Sequence, residues 1–255
     1  MRDIKECIVY EDDDICVCHK PSGVLTQSDR GFSQDMVSAL MTYERKKGNR
    51  APFIAPVNRL DRPVEGLVLY AKNSKAAALT RQITQGEVDK CYYAVVKVTD
   101  RKGMENVQKV LGDRTVITLE NYLLKDSRTN MSRVVPEGTD GAKKAVLEYQ
   151  VLGIETGEEL ALLRVKLHTG RHHQIRVQLS EAGIPILNDT KYGTTPDEEN
   201  IKDTSRAVRD EALALCSYRL VFSHPVTRKK LTFEVIPKGK SFALFSEDLC
   251  KMDNI

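Results

Sequence analysis

Val57-Asn58-Arg59-Leu60-Asp61-Arg62-Pro63-Val64-Glu65-Gly66, followed by Leu67-Val68-Leu69-Tyr70-Ala71 and Lys72, is the stretch on which the reading of this chain turns. It sets one carboxylate, Asp61, between two arginines on a loop punctuated by Pro63 and Gly66, and the loop runs straight into an apolar segment. Adjacent positive charge favours the ionised form of a carboxylate. A continuous apolar run bounded by turn residues reads as a strand buried on both faces. A charged group on a loop anchored by such a strand is a common way to present a catalytic side chain. The plain alternative is a surface Arg–Asp–Arg salt cluster, since structural ion pairs use the same residues.

Working outward, the 255 residues fit one large domain or two small ones and suffice for a substantial core. A hydrophobic content of 41% and a charged content of 29% are ordinary for a globular protein. No run approaches the roughly 20 apolar residues needed to cross a bilayer, and Met1-Arg2-Asp3-Ile4-Lys5-Glu6 lacks the apolar core of a secretory signal. The cytoplasm is the expected compartment and no membrane partner is expected. The six cysteines, at positions 7, 16, 18, 91, 216 and 250, show neither zinc-ribbon nor Cys-x-x-Cys spacing; Cys7, Cys16, Cys18 and Cys91 sit in apolar strand-like runs and read as reduced core thiols. Adjacent His172 and His173 cannot share a helix face, and there is no His-Glu-x-x-His pattern, so no metal site is expected. The net charge of +3 does not by itself argue for nucleic acid, but basic clusters at Arg45-Lys46-Lys47, Lys143-Lys144, Arg171 with Arg176, and Arg228-Lys229-Lys230 are either solvated faces or parts of a phosphate-tracking groove.

The periodicity predicts a strand over Ile8–Val17 interrupted at Asp12-Asp13-Asp14, an amphipathic helix from Ser33 to Lys47 stopped by Gly48, the strand Leu67–Ala71, and a helix capped by Asn73 or Ser74 that reaches Thr84. Further strands are expected over Cys91–Val98, Val116–Leu119, Ala145–Leu152, Leu160–Leu167, Leu213–Phe222 and Lys230–Ile236, with a helix over His172–Ala182 ended by Gly183. Gly138–Gly141 reads as a turn, and Thr194–Asp210 as a loop or short exposed helix. Strands outnumber helices and are often separated by turns, which points to an α+β fold with a mixed, mostly antiparallel sheet.

The block Asn58-Arg59-Leu60-Asp61 with Gly66 and the strand ending in Ala71-Lys72 resembles the catalytic motif of the RluA-type pseudouridine synthases. Further blocks follow in that family's order: Lys20-Pro21-Ser22-Gly23 after Ile8–Asp12, Lys90-Cys91-Tyr92-Tyr93-Ala94, Thr169-Gly170-Arg171-His172-His173-Gln174-Ile175-Arg176, Asn188-Asp189 with Tyr192-Gly193, and Ser223-His224-Pro225. Together they span nearly the whole chain. The resemblance implies the pseudouridine synthase fold, a bent sheet with flanking helices and a central cleft. It implies one catalytic domain over residues 1–255 with no separate RNA-binding module before it, and a monomer.

The same resemblance implies an enzyme that isomerises specific uridines in ribosomal or transfer RNA, without a cofactor. Asp61 takes the place of the catalytic carboxylate, acting as nucleophile, as base on the sugar, or as stabiliser of developing positive charge. Arg176 matches the arginine that pairs with that carboxylate, and Tyr92 the tyrosine that stacks on the target base, with Tyr93 as its rival if the register slips by one. Taking a base out of a stack calls for a pocket and for basic groups that hold the opened backbone. Arg59, Arg62, Lys72 and Arg171 are candidates for phosphate contacts, each with a salt-bridge alternative, and Leu179 either lines the base pocket or is core. Asn58 stands where the family usually has His, and Val64-Glu65 where small hydroxyl residues are common. Two rivals remain: a catalytically silent RNA-binding protein on the same fold, and an unrelated hydrolase, for which the Gly-x-Ser-x-Gly and Asp-x-Asp-x-Thr patterns are missing.

Overall fold

The computed structural model describes residues 3–28, 35–76, 79–98, 107, 110–111, 113, 115–193 and 212–252. The chain forms two compact units, and each is assembled from two segments: Met1–Lys90 with Cys216–Pro237, and Cys91–Leu215 with Lys238–Ile255. Strands outnumber helices among the described residues, and the fold is α+β.

In the first unit, β1 (Ile8–Glu11) and β2 (Ile15–Lys20) are joined by the acidic turn the sequence marks. The turn has a local cause: Asp12 Oδ1 accepts the Asp14 and Ile15 N–H groups, each at 2.8 Å, and bends the chain back on itself. β2 pairs antiparallel with β4 (Glu65–Ala71), whose seven residues are all buried as the apolar run predicts. The two-residue β3 (Ala55–Pro56) flanks β4. On its other side β4 meets β10 (Leu215–Ser223) in parallel, and β10 pairs antiparallel with β11 (Lys230–Glu234). β2 runs on past Val17 because its ladder to β4 continues to the pair Lys20↔Gly66. Ile15, Val17, Leu67, Leu69, Leu79, Leu220 and Phe222 share one core cluster. At about 25 cal/mol per Å² of apolar area removed from water, such side chains supply the main stabilising term.

Helix α1 (Met36–Lys46) starts after Asp35, whose carboxylate accepts the Ser38 N–H at 2.8 Å; the expected start at Ser33 lies outside the described residues. Gly48 ends it at positive φ, as expected. Asn73 caps as predicted, accepting the Ala76 N–H at 2.9 Å, and regular helix is described over α2 (Leu79–Thr84).

In the second unit the strand order is β5-β9-β8-β6-β7, where β5 is Asp89–Lys97, β6 Ile117–Asp126, β7 Met131–Val135, β8 Lys143–Glu155 and β9 Leu160–Leu167. β6 is longer than predicted and β7 was not predicted. Both are half exposed and carry Asn121, Lys125, Ser132 and Arg133, so their hydrophobic alternation is weak, and cross-strand pairing decides them instead. Helix α3 (Gln174–Glu181) begins two residues later than predicted because His173 takes the left-handed conformation, φ 54°. The 3₁₀ turn Lys240–Phe245 and helix α4 (Ser246–Met252) follow β11. The expected segment Thr194–Asp210 lies outside the described residues.

Five of the cysteines are buried and Cys250 is exposed, all six as free thiols. No helix among the described residues is long and apolar enough to cross a membrane.

Candidate functional site

Asp61 sits on the loop between β3 and β4, half buried, with Arg59 and Arg62 exposed on either side. The loop is tied down by the Lys20–Thr26 segment. Thr26 Oγ1 donates to the Leu60 carbonyl at 3.0 Å and accepts the Leu60 N–H at 3.2 Å. Ser22 Oγ donates to the Pro63 carbonyl at 2.7 Å, and Gly23 N–H to the Arg62 carbonyl at 2.8 Å. Arg62 returns a bond from Nε to the Gly23 carbonyl at 3.0 Å. Each bond contributes about 0.5–1.5 kcal/mol net, and their convergence on Leu60–Pro63 gives the carboxylate a fixed base.

Lys20 completes the clamp and was not singled out as a site residue in the sequence. Its side chain is fully buried, and Nζ donates to the carbonyls of Val24 at 2.7 Å, Pro21 at 2.9 Å and Arg62 at 3.2 Å. An ammonium has three N–H donors, and all three are used. Burial pushes the group down to about 8, against the pull of Asp61 and Glu65. The signal was present in the Lys20-Pro21 pair, but a lysine that ends a strand is ordinarily a solvated one.

Asn58, the departure from the usual His, is buried and bonds the backbone of β4: its Oδ1 accepts the Leu69 N–H at 2.8 Å and its Nδ2 reaches the Leu67 carbonyl at 3.3 Å. The amide thereby extends the sheet ladder and anchors the start of the loop. Glu65 is buried as well, its Oε2 lying 3.5 Å from His19 Nε2. Gly66 has φ 119°, and a Cβ there would fall 2.4 Å from the Ser217 carbonyl oxygen, so only glycine allows β4 and β10 to approach this closely.

Lys72, a candidate phosphate contact, is corrected by the structure. Its ammonium lies 2.6 Å from Glu11 Oε1 and 3.4 Å from Glu44 Oε1 and donates to the Asp12 carbonyl at 2.8 Å, which is the salt-bridge alternative. Burial opposes ionisation of Glu11, but bonds from Lys47 and Lys72 hold its carboxyl down at about 2.

In the second unit, Tyr92 and Tyr93 are both buried on β5, on alternate faces of the strand. Arg176 is buried in the first turn of α3 and makes a two-pronged ion pair with Asp189, Nε–Oδ2 2.8 Å and Nη2–Oδ1 2.7 Å. The guanidinium also lies over the Tyr192 ring, 5.2 Å from its centroid. Asp189 and Tyr192 belong to a block quoted in the sequence, yet nothing local in it pointed to Arg176 as their partner. Arg171 is exposed, with Nε bonded to the Lys144 carbonyl at 2.8 Å, and Leu179 is wholly buried.

One group among the described residues brings three ligand-type atoms within 4.8 Å: Asp12, Asp14 and His224. Those atoms already serve hydrogen bonds. Asp12 accepts from Asp14, Ile15, Tyr10 and His224, and Asp14 accepts from Asn73. An ion would have to displace them.

The family model described as RNA pseudouridylate synthase matches residues 14–181. An Aquifex aeolicus protein named as an uncharacterized RNA pseudouridine synthase is 30% identical over 232 residues, covering 89% of this chain and 68% of that one. The ribosomal large subunit pseudouridine synthase D of Vibrio cholerae is 33% identical over 236 residues, 91% of this chain and 67% of the other. The tRNA pseudouridine synthase C of Haemophilus ducreyi is 28% identical, with 94% of each chain covered. Among solved structures, human RNA pseudouridylate synthase domain containing 4 superposes with a TM-score of 0.70 at 20% identity, covering 98% of this chain and 94% of that one, a likeness of fold.

Proposed function

The chain belongs to the RNA pseudouridylate synthase family, in its RluA-type branch, and from that premise we propose that it isomerises specific uridines in ribosomal or transfer RNA, with Asp61 as the catalytic carboxylate. The observation that carries the reading is the clamp: six backbone-directed bonds, from Thr26, Ser22, Gly23, Lys20 and Arg62, converge on residues 60–63 around one carboxylate. Catalytic groups need such fixed placement, since small displacements cost large factors in rate.

In this reaction the bond from ribose to the base nitrogen breaks, the base turns, and ring carbon five bonds to the ribose instead, losing its proton while the freed nitrogen gains one. Asp61 acts at the ribose, where positive charge develops as the base departs. Arg176, fixed by its two-pronged pair with Asp189, is the arginine of the proposed site. Tyr92 stacks on the flipped base, Leu179 borders it, and Arg59, Arg62 and Arg171 hold the opened backbone at its phosphates. The relatives' names support both RNA classes: the Vibrio cholerae protein is named for the large ribosomal subunit and the Haemophilus ducreyi protein for transfer RNA.

The test is pseudouridine mapping of total RNA from cells lacking the protein, complemented with the wild type or with Asp61→Asn. One or a few sites lost, and restored only by the wild type, is the expected result. Restoration by Asp61→Asn removes Asp61 from the mechanism. No site lost under any condition replaces the isomerase by the RNA-binding reading.

A further inference from the structure

The tip of the β6–β7 hairpin is fastened to the start of α3 by a set of side-chain hydrogen bonds. His172 Nε2 lies 3.1 Å from Asn130 Oδ1 and its Nδ1 2.9 Å from Ser132 Oγ. An amide oxygen only accepts, so Nε2 carries a proton and donates to Asn130. The His172 ring stacks on His173, with centroids 3.7 Å apart. His173 Nδ1 in turn meets the Tyr192 hydroxyl at 2.8 Å, and that hydroxyl accepts the Ser132 N–H at 2.8 Å. Lys191 Nζ closes the set on the Asn130 carbonyl at 2.9 Å. A short turn at the end of a half-exposed strand pair is ordinarily among the loosest parts of a protein. This one is held at both Asn130 and Ser132.

What the fastened tip presents is positive charge. Lys125 and Arg128 are exposed, the Arg128 side chain at 93%, and Asp126 is the acid between them, 3.7 Å from Arg128 Nε. Lys125 pairs with Ser132 across the ladder and so lies on the sheet face that carries the His172 contact. Exposed Arg171 adjoins His172 in sequence and donates from Nε to the Lys144 carbonyl at 2.8 Å. We infer that the turn from Lys125 to Met131 is a pre-ordered arm for RNA phosphates outside the reacting nucleotide, and that His172 is the positioning residue that locks it. The inference rests on the reading of this chain as an RNA-modifying enzyme. Locking the arm before binding removes the ordering cost from association, which is how a few cations become effective contacts.

The test uses the full chain and folded bulk transfer RNA as probe, with binding measured across a KCl series. Lys125→Ala/Arg128→Ala removes two exposed side chains and leaves the fold intact. It is expected to flatten the log–log salt dependence by about 1.4 to 1.8, the release from two phosphate contacts at roughly 0.7 to 0.9 each. His172→Ala is expected to weaken binding several-fold while the Ser132 amide exchanges faster with solvent. An unchanged slope in the double variant overturns the arm. Faster Ser132 exchange with unchanged affinity in His172→Ala overturns the lock. Neither readout needs turnover, so failure of the isomerase reading would appear separately, as an absence of modified sites with the binding slopes intact.

Discussion

Arg176 and Asp189 form a buried, two-pronged ion pair in which the side chain of Asp189 is wholly enclosed and that of Arg176 is 5% exposed. Asp189 Oδ1 also accepts the backbone N–H groups of Lys191 and Tyr192, at 2.9 and 3.2 Å, and the Asp189 carbonyl accepts from Gly193 at 2.8 Å. One carboxylate therefore fixes both the plane of the guanidinium and the loop that sets Tyr192 beneath it.

Removing either partner leaves the other charge buried and uncompensated. Arg176→Ala or Asp189→Ala is expected to cost about 3–5 kcal/mol in urea unfolding. Arg176→Lys keeps the charge but loses the planar fork, so it is expected to retain much of that stability and still lose most of the isomerase activity.

Lys20→Met removes the donor shared by three carbonyls and is expected to destabilise the fold by about 2–4 kcal/mol, with activity falling more than RNA binding. The wild type carries a pH signature of the same group. Its folded value is about 8 against an ordinary 10.5, so above pH 8 the folded protein loses a proton that the unfolded chain keeps. Stability linked to this group rises between pH 8 and 10.5 because the cost of a buried charge disappears, while one of the three donors to the loop is lost. Activity is expected to fall through pH 8 without a matching fall in melting temperature.

Gly66→Ala sets a Cβ 2.4 to 2.8 Å from the backbone of Ser217, at a backbone angle that L side chains rarely adopt. Backbone cannot move aside as a side chain can. The expected loss is about 3 kcal/mol or more, seen as a lowered urea midpoint together with lost activity.

Glu11 gives an acid-side prediction. Its folded value of about 2 lies below the ordinary 4.5, so its contribution is complete above pH 4.5 and disappears as pH falls toward 2. Melting curves of the wild type and Glu11→Gln are expected to differ most above pH 4.5 and to converge at the acid end; parallel curves over that range would remove Glu11 from the stability of the Lys47–Lys72 cluster.

Much of the fold was legible because it rests on local rules. β4 was readable as an apolar run between Gly66 and Lys72, β9 as Leu160–Leu167 to the residue, and the β1–β2 turn as three consecutive aspartates, the first of which closes the turn. β7 and the outer half of β6 were not legible, because half-exposed strands with Asn, Lys, Ser and Arg derive their stability from the partner strand.

The same divide separates the residues of the candidate site. The sequence by itself determined the family, the loop that carries Asp61 and the identity of its flanking arginines, since motif order and turn residues are properties of neighbours along the chain. Only the tertiary structure decided which charges are spent and on what. Lys72 goes to Glu11, Lys20 to the carbonyls that hold the loop, and Arg176 to Asp189. Three basic residues that look alike in sequence differ because burial makes an unpaired charge too costly, and the partner that meets that cost is chosen by packing: Glu11 lies 61 residues from Lys72, Asp189 13 from Arg176, and the Arg62 carbonyl 42 from Lys20.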